Sequence, residues 1–385
     1  MSPELLVVAG EASGDRAAAG VVRALETRGL CVSALGLGGA SLESVGATLV
    51  ADLRHTTALG IGAVAARTPR LARAHAALWC AARRPNVRAA LLVNYTEYNL
   101  HLAPRLRALG LRVLWYGAPQ VWAWRPSRIE AVRAGIDRMA VVLPFEEKLW
   151  RDAGVDATYV GNPAVEVVAL PRAEARALLG LTERAVTVAL LPGSRPHEVR
   201  LLLPPMLAAF ERVRHDRASV DGRVLLAPSL DAASRRDVIE QARTAHVGVF
   251  DVDPREGAAR VLPAFDVALC ASGTAALEAT LARAVPVVAY RVGIMSEMVA
   301  RAFLRVPHIA LPNVLLGRRV FAELLQRDAT PIALARELRS AIDRRRELCV
   351  ACDEVSRELG RGHSPSREVA DMLAPWLREV SLEAS

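Results

Sequence analysis

The run Leu5-Leu6-Val7-Val8-Ala9-Gly10-Glu11-Ala12-Ser13-Gly14-Asp15 decides the fold. Five apolar residues end at a glycine, and a helix-like stretch follows from about Arg16 to Thr27. A short strand that is apolar at every position is buried on both faces, as in a parallel sheet covered by helices. A second apolar run, Cys31–Leu37, comes next, with Gly38 and Gly39 behind it. Strand, glycine turn, helix and strand make a βαβ unit. The rhythm recurs at Ala89–Val93, a helix through Leu109 and Arg112–Tyr116, then at Met139–Leu143 with helical Phe145–Ala153.

A second series begins at Val186–Leu191, with Gly193 as its turn and Val199–Val213 as its helix. Arg223–Ala227, Val247–Val252, Val267–Cys270 and Val285–Ala289 read as strands, and Ala275–Ala282 as a helix. The two series part near Gly161-Asn162-Pro163. They predict an α/β protein of two Rossmann-like, doubly wound domains facing across a cleft, spanning residues 1–163 and 164–345. An Arg/Glu-rich helical segment, residues 346–385, follows. Ligands of such sheets bind beyond the strand C-termini, where helix N-termini favour phosphate.

Composition narrows the partners. At about 100–200 residues per domain, 385 residues fit two domains. Apolar residues make up 52%, which excludes intrinsic disorder. The longest charge-free stretch, Gly29–Leu42, has 14 residues and four glycines. A spanning helix needs about 20 apolar residues, so none is expected. Met1-Ser2-Pro3-Glu4 has no basic region of the kind a signal peptide carries, so a cytoplasmic chain is expected. The net charge is +8, and Lys148 is the only lysine. A surface of arginine forks suits anionic partners, a nucleotide or an anionic lipid surface. Aromatics are only 4%, which argues against a base-stacking platform, so nucleic acid is not expected. Five cysteines in a long chain make no disulfide framework. Cys349-x-x-Cys352 lies in the helical run without a second Cys or His pair and reads as packing.

Three glycine turns follow strands. Gly10-Glu11-Ala12-Ser13-Gly14-Asp15 lets backbone approach a ligand, while Ser13 and Asp15 also suit a helix start. Gly193-Ser194-Arg195 offers N–H groups and a bidentate guanidinium, a pyrophosphate cradle or merely a capped turn. Ser272-Gly273-Thr274 opens a helix with small residues, and Glu278 lies one turn in, placed to accept from ribose hydroxyls. Trp122-Ala123-Trp124-Arg125 holds two of six tryptophans, either core or an acceptor wall. Asp251-Val252-Asp253 has the spacing of a metal pair but runs into Pro254, so no metal is expected.

These segments, with Pro119-Gln120-Val121, Leu311-Pro312-Asn313 and Glu323-Leu324-Leu325-Gln326, resemble the lipid-A-disaccharide synthase family in content and order. The resemblance runs from about Leu5 to Thr330. The tryptophan motif argues against two other GT-B enzymes, the peptidoglycan N-acetylglucosaminyltransferase and UDP-N-acetylglucosamine 2-epimerase. The family implies a GT-B glycosyltransferase with the acceptor in the N-terminal domain and the UDP-sugar in the C-terminal one. It joins UDP-2,3-diacylglucosamine to 2,3-diacylglucosamine 1-phosphate, giving a β(1→6) disaccharide and UDP with inversion. It uses no cofactor. Gly10, Ser13, Gly14, Gly193, Ser194, Arg195, Ser272, Gly273, Thr274, Glu278, Asn313, Glu323 and Gln326 are implied to bind substrate or UDP. Gln120, Trp122, Trp124 and Arg125 are implied to form the acceptor or lipid wall.

The family carries Ile-Asp-x-Pro-Asp-Phe-Asn where this chain has Val93-Asn94-Tyr95-Thr96-Glu97-Tyr98-Asn99. The implied base is therefore Asn94, an amide, and Glu97, Glu11 and Asp15 become the candidate catalytic carboxylates. Ala63 stands where the family has glutamate. An active transferase and a non-catalytic or altered-acceptor paralogue that keeps UDP-sugar or lipid binding both fit this pattern. Lipid substrates imply peripheral contact with the inner membrane. Arg67–Arg84, with Leu71, Ala74, Leu78 and Trp79 on one side, and Ser296–Val306 are the candidate docking segments.

Overall fold

The computed structural model describes residues 3–52, 69–123, 125–217, 219–291, 307–360 and 362–378. The chain forms two compact units, residues 1–166 with 362–385, and residues 167–361. Among the described residues, no helix is long and apolar enough to cross a membrane.

The first unit holds a seven-stranded sheet of β1 (Glu4–Ala9), β2 (Ser33–Gly38), β3 (Thr48–Asp52), β4 (Val87–Val93), β5 (Arg112–Tyr116), β6 (Arg138–Val141) and β7 (Ala157–Tyr159). The strand order is β3-β2-β1-β4-β5-β6-β7, every neighbouring pair is parallel, and the winding reverses between β1 and β4. Alternate residues of β1 serve different cores, as the period of two requires. Leu5, Val7 and Ala9 pack with helix α1 (Ala12–Thr27) and with Val369, Leu373 and Trp376. Leu6 and Val8 pack with Leu35, Leu78, Leu92, Leu102 and Trp150 on the other face.

The second unit holds six parallel strands, β8 (Val186–Leu191), β9 (Val220–Leu226), β10 (Gly248–Asp251), β11 (Val267–Ala271), β12 (Val285–Tyr290) and β13 (Ala322–Leu325). Their order is β10-β9-β8-β11-β12-β13, with the reversal between β8 and β11. Asp266, at the foot of β11, accepts from Arg172 Nη2 (2.6 Å), Arg176 Nη2 (3.1 Å) and the Thr187 N–H (2.9 Å). Burial pushes its carboxyl up, but the Thr187 bond and the Arg172 and Arg345 charges outweigh burial and hold it below the ordinary value.

The C-terminal region does not form one separate segment from residue 346. The helix Arg345–Glu358 lies in the second unit, with Cys349 and Cys352 buried on its inner face. The helix Pro365–Arg378 lies in the first unit and packs on α1. Its stripe of Val369, Ala370, Leu373 and Trp376 completes the core face that Leu5, Val7 and Ala9 present. Glu166 fixes its start, accepting from Ser364 Oγ (3.2 Å) and from the N–H (3.0 Å) and hydroxyl of Ser366. The edge strands β3, β7 and β13 were not among the expected elements.

Candidate active site

The strand ends at the first reversal carry the first cluster. Gly10 closes β1, and Glu11 is the N-cap residue of α1 with extended backbone. A Cβ at Gly10 would overlap the Tyr95 ring, so only glycine lets the two loops meet. Asn94 and Tyr95, after β4, both have left-handed backbone, φ 51° and 53°. Asparagine tolerates that region and tyrosine rarely does, so the turn is strained and held from outside. The Asn94 N–H donates to the Tyr116 carbonyl (3.1 Å), and the Asn99 amide donates to the Asn94 carbonyl. The Asn94 amide lies against Gly117, which has φ +80°, and near Gly14. It is thus wedged between the first turn of α1 and the loop that follows β5.

The candidate carboxylates have different surroundings. Asp15, expected among the bases, accepts from the N–H groups of Gly39 (2.7 Å), Ser41 (2.8 Å) and Leu42 (3.3 Å). It clamps the loop after β2. Glu97, in the first turn of the helix Thr96–Ala108, is about half exposed and pairs with Arg128 and, at 3.9 Å, with Arg125 Nη1. Glu11 faces Tyr95: burial first, then the Glu11 charge, raises the Tyr95 hydroxyl above its ordinary value.

The tryptophan segment follows β5. Gln120 is exposed and Trp122 is half-buried, while Trp124 lies outside the described residues. Trp122 Nε1 donates to Glu146 Oε1 at 3.0 Å, and its ring meets Phe145 edge-on at 5.2 Å between centroids. Glu146 and Phe145 open the helix Pro144–Asp152 after β6, next to β5 in the sheet. No sequence motif pointed to Glu146. An aromatic group was also missed: Tyr95 stacks on Tyr98 (5.2 Å), whose hydroxyl meets His75 Nδ1 at 3.0 Å. Burial pushes the Tyr98 hydroxyl up to about 12. The i, i+3 tyrosine pair at a helix start, in a chain poor in aromatics, was the available signal.

The second cluster sits at the reversal between β8 and β11. Gly193, with φ +124°, turns β8 into the helix Pro196–Asp216, and Arg195 is that helix's N-cap residue. Glu198 reaches back, accepting from the Ser194 N–H (3.2 Å) and Arg195 Nη1 (3.0 Å). Ser272, Gly273 and Thr274 turn β11 into the helix Thr274–Leu281, with Gly273 at φ +137° and open space where a Cβ would stand. Glu278 is buried one turn further on. The two turns are neighbours because β8 and β11 are.

Asn313 and Glu323 support this cluster from behind. Asn313 is fully buried. Its Nδ2 donates to Glu323 Oε1 (2.7 Å) and the Phe321 carbonyl (2.9 Å), and its Oδ1 accepts from the N–H groups of Val320 and Phe321 (both 3.0 Å). Glu323 also accepts from the N–H groups of Ile309 (3.0 Å) and Ala310 (3.2 Å), and Ser272 Oγ donates to the Ile309 carbonyl (3.3 Å). Gln326, with φ 51°, offers its carbonyl to Arg291 Nε at 3.2 Å.

Of the candidate docking segments, Ser296–Val306 lies outside the described residues, as does Ala63. The helix Pro69–Ala82 turns Leu78 into the core, so this residue belongs to the fold and not to an outward apolar face. Arg73 and Arg83 are exposed, and the Arg83 guanidinium lies 4.6 Å from the Trp79 ring centre.

Two parallel-sheet units with glycine turns at both reversals define the GT-B class of sugar-nucleotide enzymes. The S. aureus MnaA–UDP co-structure shares the fold at a TM-score of 0.66 and 12% identity, covering 97% of both chains. The UDP-GlcNAc 2-epimerase from Neisseria meningitidis bound to UDP-GlcNAc does so at 0.65 and 10%, covering 97% of this chain and all of that one. The lipid-A-disaccharide synthetase family matches residues 5–371. The lipid-A-disaccharide synthase of Myxococcus xanthus is 43% identical over 341 residues, 88% of this chain and 87% of its own. That of Anaeromyxobacter sp. (strain K) is 38% identical over 377 residues, 97% of each. The chain belongs to the lipid-A-disaccharide synthase family, and is a hexosyltransferase acting on a sugar nucleotide and a lipid acceptor.

The buried pair behind the second cluster gives a direct test. Asn313→Ala removes the partner of two backbone N–H groups, of the Phe321 carbonyl and of one lone pair of Glu323, at about 1–3 kcal/mol for each group left unsatisfied. Chemical denaturation of the variant is expected to show a loss of about 3 kcal/mol. A loss under 1 kcal/mol would show that the amide is dispensable.

Proposed function

We propose that this chain joins UDP-2,3-diacylglucosamine to 2,3-diacylglucosamine 1-phosphate, forming the β(1→6) lipid A disaccharide and releasing UDP. The observation that carries the reading is the pair of glycine turns, Gly193–Arg195 and Ser272–Thr274, side by side at the reversal of the second sheet. Their N–H groups, the Arg195 guanidinium and the start of the helix Thr274–Leu281 suit a pyrophosphate, and Glu278 suits the ribose. The first unit takes the acceptor, against Gln120, Trp122, Trp124 and Arg125.

Inversion follows from a single displacement. The acceptor 6-hydroxyl attacks the anomeric carbon opposite the phosphate, the bond to UDP breaks, and its electron pair leaves on a phosphate oxygen. Arg195 and the turn N–H groups stabilise that charge. The hydroxyl proton goes to a base. The Asn94 amide has no basic site at neutral pH and serves to orient the hydroxyl. Glu97 is the first choice for the base and Glu11 the second; Asp15 is occupied by three N–H groups. A non-catalytic role is not favoured, since the family match covers nearly the whole chain.

Three measurements test the reading. Arg195→Ala should weaken UDP binding by about 1.5–3 kcal/mol in calorimetry, the value of a charged hydrogen bond; unchanged affinity removes Arg195 from the donor site. In a disaccharide-forming assay with both lipid substrates, Glu97→Gln should abolish turnover with UDP affinity intact. Asn94→Asp should raise it, by up to the roughly 10²–10⁴-fold that a positioned base contributes. Turnover indifferent to both changes would move the base to Glu11.

Docking on the inner membrane through Arg73, Arg83 and neighbouring arginines is part of the same reading, at about 1 kcal/mol per residue. The protein should pellet with anionic vesicles and be released as salt rises. Equal pelleting with neutral vesicles would refute the electrostatic attachment.

A further inference from the structure

Glu146 is almost completely buried, at 1% exposure, yet it carries a carboxyl group. Its two oxygens face two elements. Oε1 accepts from Trp122 Nε1 at 3.0 Å, across from the segment after β5. Oε2 accepts from the Leu143 N–H at 3.2 Å, at the start of its own helix. The Leu143 bond is a helix cap, which an uncharged side chain also provides. The Trp122 bond joins two segments 24 residues apart and fixes a half-buried indole that also meets the Phe145 ring edge-on. An indole has one donor, so Glu146 determines which way the ring points.

We propose that Glu146 is a positioning residue for the transfer reaction, holding the Trp122 indole in the orientation that seats the lipid acceptor. This rests on the reading of Trp122 as part of the acceptor wall.

The ionisation of Glu146 supports it. Burial pushes its carboxyl up from 4.5 to about 7, while the Trp122, Leu143 and Val142 bonds pull it down. The charges on its own helix, Glu147 with Arg151 and Lys148 with Asp152, pair with one another. The nearby charges after β5 and β4, Arg125, Arg128 and Glu97, form their own group. The carboxyl therefore titrates near neutrality. Above pH 7 it is ionised and binds the indole more strongly. Below pH 7 it is protonated and the hold weakens. The folding ledger has the opposite sign: with a raised folded value, this group's contribution to stability falls as pH climbs from about 4.5 to 7. A carboxylate kept at that cost serves something other than stability.

The test uses the full chain. Trp122→Phe identifies the Trp122 indole N–H signal in the proton–nitrogen NMR spectrum by its loss. In the native chain that signal should move with a midpoint near pH 7, and Glu146→Gln should remove the titration. The acceptor KM should rise about tenfold in Glu146→Gln and in Trp122→Phe, with UDP affinity unchanged. The double variant should be no worse than the worse single one, as for two residues acting through one bond. A flat signal, additive effects or an unchanged acceptor KM would overturn the proposal. If Glu146→Gln does not fold, the native titration and the KM of Trp122→Phe still decide. An absence of any disaccharide from the native chain would refute the proposed function instead, and the NMR titration would still report whether Glu146 holds the indole.

Discussion

The central strand β1 has no free side. β2 and β4 bond its two edges, and one core packs against each of its faces. Ligands of such sheets meet the central strands beyond their C-terminal ends, so a ligand that reaches β1 meets Gly10 and the loops around it. The same holds for β8, flanked by β9 and β11, and for Gly193. The C-terminal helix is part of this constraint. Without Val369, Leu373 and Trp376, half of β1 and the inner face of α1 would lose their cover. The chain's last described helix thus supports its first loop.

Crowding at that loop then dictates residue types. Gly10 lets the Tyr95 ring through and Gly117 lets the Asn94 amide through. The left-handed pair Asn94–Tyr95 is held by Tyr116 from one side and by Asn99 from the other. Such strain persists only where neighbours over-determine it. Here the neighbours are the end of β5, the helix Thr96–Ala108 and the backbone at Gly10 and Gly117.

What was legible in the sequence follows from how local each cause is. Central strands such as Leu5–Ala9 and, but for Thr187, Val186–Leu191 declare themselves through apolar runs, and their turns through glycine. Edge strands do not: β3 is only partly buried, β7 has three residues and β13 contains Glu323. The stripe of the helix Pro365–Arg378 says that it packs, but not on which unit. Side-chain partners are the least legible. Asp15 meets a loop 24 residues away and Glu146 an indole equally distant. The choice between ligand contact and internal support at Asn313 depends on the Val320, Phe321 and Glu323 atoms that surround it. The motif pattern pointed to the strand ends and left that division open.

Asn94, where the family resemblance implies aspartate, would keep the shape and drop the charge, since both residues tolerate left-handed backbone. The question is then which neighbour takes a proton. The buried hydroxyls of Tyr95 and Tyr98 are pushed up, so near neutrality they donate hydrogen bonds and hold their protons. Asp15 is tied to three backbone groups, and freeing it would unmake the loop after β2. Glu146 points at Trp122 and the end of β6. Glu97 differs in that its partners are arginine side chains: the half-exposed Arg125 at 3.9 Å, a kind of pair worth only about 0–1 kcal/mol, and the largely covered Arg128. The helix Thr96–Ala108 holds it in its first turn, directly after Asn94 and Tyr95. The proposal of Glu97 as base rests on that difference: Asp15 and Glu146 are bound to backbone groups and an indole of the fold, whereas Glu97 stands half exposed beside two arginines.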